Sequence, residues 1–123
     1  MKTQTYNLEE RLINFAVSTI QVISLLPNSS MGKHLSGQLG RLGTSPALNY
    51  GEAQGAESPA DFLHKLRICL KELRESQITL KIAQRSGLLK EVAVAPILNE
   101  CNQLVAIFTS SVKTAQGKAR PSK

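Results

Sequence analysis

Leu8, Leu12, Phe15, Thr19, Val22, Ile23 and Leu26 repeat at intervals of mostly three and four residues, the spacing of one helical face. Asn7 stands where an N-cap belongs, and Glu10 three residues on completes a capping box. Ile13, Val17, Ile20 and Leu25 lie largely off that face, so the first predicted helix is apolar around more than half its circumference. One partner surface cannot cover such a helix, and burial on two sides or against another subunit follows. Residues 12–32 carry no formal charge. Asn14, Ser18, Thr19, Gln21 and Ser24 nevertheless interrupt the run, and Pro27-Asn28 ends it, which reads as a core helix rather than a membrane span.

The same periodicity predicts three more helices. The second runs over about 31–56 through Leu35, Leu39, Leu42 and Leu48. Pro46 within it either kinks the helix or starts a new one with Ser45 as cap. Gly43, Ala47, Gly51 and Gly55 recur every four residues and predict a ridge where a neighbouring helix approaches closely. Ser58-Pro59-Ala60-Asp61 is a helix start: a cap, a proline at the first position and an acid at the positive end of the dipole. The third helix spans about 59–86, buries Phe62, Leu66, Cys69, Leu70, Leu73, Leu80 and Ala83, and ends at Gly87. The fourth, about 93–115, carries Val94, Ile97, Leu98, Cys101, Leu104, Val105, Phe108 and Val112 before the pattern fades from Lys113. Four amphipathic segments joined by short breaks predict an all-α, antiparallel up-and-down four-helix bundle over 1–116, with a basic flexible tail over 117–123.

Composition narrows this further. At 123 residues the chain is one domain, and with 4% aromatics and no alternating Thr/Tyr/Trp-rich runs an all-β fold is disfavoured. Fifteen basic residues against nine acidic ones leave a net charge of +6, which favours an anionic partner, above all nucleic acid. The bases are not scattered. Between residues 62 and 90 seven of them face two acids, Glu72 and Glu75. Arg67, Lys71, Arg74, Lys81 and Arg85 step by four, three, seven and four, which sets them on one face of the third helix. Lys113, Lys118, Arg120 and Lys123 extend the basic character with no acid among them. A linear cationic stripe suits a phosphate backbone, RNA or DNA, because each neutralised phosphate releases counterions. The plain alternative is a solvated face, its field softened by Glu72 and Glu75.

Catalytic chemistry finds little support. Gly37, Gly40 and Gly43 lack the spacing and the preceding strand of a phosphate loop. His34 and His64 fall on separate helices; Glu52 and Glu57 share no helical face; the repeated Glu-x-x-His of a di-iron bundle is absent. Cys69 and Cys101 have no metal-ligand spacing to each other or to histidine and read as buried thiols of a cytoplasmic protein. The expectation is a non-enzymatic protein without cofactor or metal and without a membrane partner.

A polar row, Arg41, Ser45, Asn49 and Glu52, steps by four, four and three along the second helix. It is either an exposed face or a hydrogen-bonded subunit interface, and the surplus apolar surface of the first helix favours the interface. This row lies in Arg41-Leu-Gly-Thr-Ser-Pro-Ala-Leu-Asn-Tyr-Gly-Glu-Ala, and Ser58-Pro-Ala-Asp-Phe-Leu-His-Lys-Leu follows. Over residues 6 to about 114 the chain resembles the bacterial four-helix-bundle proteins encoded in intervening sequences of 23S ribosomal RNA genes. The resemblance implies a bundle that assembles as a ring, typically a homopentamer. A related branch, the accessory protein of diversity-generating retroelements, implies a basic barrel that binds nucleic acid and a reverse transcriptase. No catalytic residues come with the family, and only Arg41, Ser45, Asn49 and Glu52 carry over its polar signature. The competing expectation is a protein-interaction scaffold or accessory subunit without nucleic-acid contact.

Overall fold

The computed structural model describes residues 7–119. It contains four helices: α1 (Leu8–Ile23), α2 (Ser30–Gln54), α3 (Pro59–Arg85) and α4 (Glu91–Ala119). Short connections over 24–29, 55–58 and 86–90 make neighbours antiparallel. The helices pack α1 on α2, α2 on α3, α3 on α4, and more sparsely α4 on α1, so α1 and α3 face each other across a diagonal.

The apolar faces named from spacing meet in one core, except that Leu48 of the second stripe is 68% exposed. Leu12, Phe15, Leu39, Leu42, Leu66, Leu73, Leu80, Leu104 and Phe108 are fully buried. Tyr50 meets Phe108 edge-to-face, with ring centroids 5.9 Å apart at 86°. By length and composition alone α4 has the character of a membrane-crossing helix (mean hydropathy 1.3 over its most apolar window); here Val94, Ile97, Cys101, Leu104 and Phe108 turn into the bundle.

Local chemistry explains most helix ends. The Ser58 hydroxyl accepts from the Asp61 amide at 3.0 Å, with Pro59 at the first position, as the sequence predicts. Gly87 adopts φ +83°; its amide donates to the Gln84 carbonyl and the Leu88 amide to that of Ala83, a Schellman closure that requires the left-handed backbone. The first α2 turn is capped by Ser29, whose hydroxyl accepts from the Gly32 amide.

Several expectations are corrected. Asn7 makes no side-chain cap: its backbone (φ −108°, ψ 41°) is not the extended conformation that aims a cap oxygen at the first turn. Pro46 neither breaks α2 nor starts a new helix; it is buried, and its carbonyl accepts from the Cys69 thiol at 3.4 Å. Tertiary packing thus outweighs the missing amide. Of the glycines in the small-residue row, Gly43 alone makes a close approach, since a Cβ there would overlap the Thr19 side chain of α1. Gly51 faces open space and Gly55 is the C-cap of α2. Finally, α4 continues through Lys113 and Lys118 to Ala119, past the fading of its apolar pattern. Arg120 and Lys123 lie outside the described residues.

Candidate nucleic-acid interface

Twenty-seven residues of unbroken helix carry the basic stripe. At 100° per residue, Arg67, Lys71, Arg74, Lys81 and Arg85 fall within roughly 40° either side of one line along α3. All five are exposed, and none makes an ion pair among the described residues. The stripe is therefore a cationic face with no side chain of its five bases tied up in an ion pair among the described residues.

The two acids expected to soften it do not act alike. Glu72 lies roughly 140° round the helix from Arg67. It is buried against α2, where Oε2 sits 3.8 Å from the Arg41 guanidinium. Its other oxygen, and the Ser76 hydroxyl one turn on, are buried without a hydrogen-bond partner. Glu75 is half-buried beside the stripe and lines, with Arg67, Leu70, Lys71, Arg74 and Ile78, a shallow depression on the α3 surface.

The seven-residue step between Arg74 and Lys81 conceals a residue that spacing of charges alone overlooks. Ile78 occupies the vacant position on the same line and is 59% exposed, and Ile82 beside it is 53% exposed. A second depression, lined by Ile78, Lys81, Ile82, Arg85 and Ser86, continues the face toward the end of α3. The stripe is thus cationic with an apolar centre.

The two ends of the polar row of α2 reach α3 of the same chain, and its middle bonds within α2. Arg41 reaches Glu72, the Lys65 ammonium donates to Glu52 Oε1 at 2.6 Å, and the Asn49 amide donates to the Ser45 hydroxyl at 2.9 Å and carbonyl at 3.1 Å. The bond to Glu52 holds the Lys65 ammonium above its ordinary pKa. Arg41 and Glu52 thus bridge the α2–α3 seam, Ser45 and Asn49 bond within α2, and the row stands apart from the five-cation ridge.

A further polar site escaped the sequence reading. Arg11, buried on the α1 stripe between Leu8 and Leu12, donates through Nε and Nη2 to both oxygens of Glu100 on α4 (2.9 and 2.7 Å) and to Gln103 Oε1 (3.1 Å). Its one signal was a lone base among apolar neighbours. His34 and His64 are exposed on separate helices. At the end of the bundle where α1 begins, Leu8, Tyr50, Phe62, Leu66, Ser111 and Lys118 are among the residues lining a groove of about 630 Å³, which shares none of the ridge's cations.

The model of the 23S rRNA-intervening sequence protein matches residues 5–110. The chain belongs to that family. Its fold is also that of a crystal structure from Bacteroides thetaiotaomicron, described as a protein with unknown function from the S23 ribosomal protein family. The two chains are 30% identical and superpose with a TM-score of 0.79, over 85% of this chain and 97% of that one. A comparison with curated proteins finds no match. In this chain Arg41 and Glu52 tie α2 to α3 through Glu72 and Lys65, Ser45 and Asn49 bond to each other within α2, and the five cations of the ridge make no ion pair among the described residues.

Proposed function

We propose that this member of the family is a non-catalytic, self-associating bundle, assembled as a ring of five, that binds the backbone of RNA or DNA through α3. The observation that carries the reading is the run of five exposed cations, free of acidic partners, along one helix face. A phosphate chain presents charge at regular intervals and needs no base contacts to bind such a ridge. Repetition of the ridge in an oligomer converts weak contacts into affinity through multivalency. A cytoplasmic setting suits the two free thiols, Cys69 and Cys101.

The test is anisotropy titration against a structured RNA and a DNA duplex across a salt series, with mass by light scattering on the same samples. Binding is expected to weaken steeply with salt. Removing three phosphate contacts in R67E/K71E/R74E is expected to flatten the log–log salt slope by roughly 2.7. Binding and a slope unchanged in that variant would sink the reading.

A further inference from the structure

Two apolar faces stay open on the folded protomer, and their flanking charges are opposite. On α1, Ile13, Val17 and Ile20 are 40–56% exposed and form a ridge turned away from the core. Glu9 and Glu10, one turn before it, are exposed and make no ion pair among the described residues. On α3, Ile78 and Ile82 protrude between Arg74, Lys81 and Arg85, with a shallow depression on each side of Ile78. A phosphate backbone has no use for two exposed isoleucines, whereas an apolar helix ridge with an acidic end fits both the isoleucines and the cations. This chain supplies that ridge itself. Met31 and Leu48 on α2 and Val92 on α4, the other strongly exposed apolar side chains of the helices, lie outside both faces.

We propose that the two faces bind each other between copies: one protomer's Ile13–Val17–Ile20 ridge seats on its partner's Ile78 and Ile82, with Glu9 and Glu10 meeting the cations beside them. Because α1 and α3 occupy opposite corners of the bundle, the faces point in opposite directions and cannot satisfy each other within one chain. The contact is therefore heterologous. Each protomer uses a different surface toward each neighbour, and the assembly closes into a ring when the rotation allows. Burying the apolar ridges drives association, and the unlike charges select this pairing over α1 on α1 or α3 on α3, where like charges meet. The inference rests on the self-association reading above; Arg74, Lys81 and Arg85 border the contact and are shared with the cationic ridge, so the mass measurement is made without nucleic acid.

The experiment uses two full-length variants, V17D and I78D, studied without nucleic acid. Both positions are exposed, so helicity by circular dichroism is expected to match the parent chain. Light scattering of the unaltered protein is expected to give several times the chain mass of 13.4 kDa. Each variant alone is expected to fall to the mass of one chain. Mixed in equal amounts, they are expected to form a dimer and stop there, because V17D retains an intact α3 face and I78D an intact α1 face. An unaltered protein that is monomeric overturns self-association itself. An I78D variant that keeps the parent mass, or a mixture that stays monomeric, overturns this pairing of faces while leaving self-association in place. If either aspartate variant loses helicity, V17S and I78S replace it, with a raised dissociation concentration for each and recovery on mixing as the expected result.

Discussion

Arg11 shows how much one residue changes when the fold surrounds it. Its guanidinium is 10% exposed and grips both oxygens of a Glu100 carboxylate that is 33% exposed, so the pair is shielded from screening; the bond to Glu100 raises the arginine's already high pKa. R11A is expected to lower unfolding stability by about 2 kcal/mol, the worth of a charged hydrogen-bonded pair with one member orphaned. E100Q, which keeps an acceptor, is expected to cost less; urea denaturation measures both. The buried thiols give a pH dependence. Burial, with a smaller contribution from neighbouring Glu72 and Glu100 respectively, pushes Cys69 and Cys101 up to about 12 from an ordinary 9. Below pH 9 both are protonated whether folded or not, and the contribution is complete. As pH rises from 9 toward 12 the unfolded chain gives up its thiol protons first. Stability then falls by up to about 1.4 kcal/mol per pH unit for each thiol. Denaturation at pH 8 and 10.5 is expected to show a larger drop for the parent than for C69A/C101A.

At the scale of elements, helix propensity and packing oppose each other along α2. Alanine favours a helix interior over glycine by about 1 kcal/mol. At Gly51, where a Cβ meets nothing, G51A is expected to stabilise by up to that amount. At Gly43 the Cβ would overlap Thr19, so α1 and α2 must move apart, and G43A is expected to destabilise by roughly 1–3 kcal/mol. Thermal melts of the two variants should shift in opposite directions. Gly87 at φ +83° closes α3, and G87A is expected to cost about 1 kcal/mol because a left-handed alanine is strained. The sequence showed all three glycines at helical or terminal positions but treated the row from Gly43 to Gly55 as one ridge. Which of them meets a neighbour depends on the rotation of α2 against α1, which periodicity leaves free. Pro46 is parallel: its consequence for the helix was set by the α3 thiol and the core around it.

For the whole molecule, charge and apolar surface are expected to separate in salt. Nucleic-acid binding should weaken steeply with ionic strength, because counterion release drives it. Assembly through Ile13, Val17, Ile78 and Ile82 should persist at salt concentrations that abolish binding, with only its Glu9 and Glu10 contribution screened; mass and anisotropy on one sample check this. The four helices, the Ser58 start, the Gly87 stop, the stripes that fill the core and the five cations on one α3 face were all legible in the chain, because each depends on residues within a few positions of one another. The partners of Arg11 and Glu72, the reach of Arg41 and Glu52 onto α3, and the opposite placement of the open α1 and α3 faces were not. Those follow from which helix lies beside which and at what rotation. That choice is made by burying all four apolar stripes at once, and no single segment encodes it.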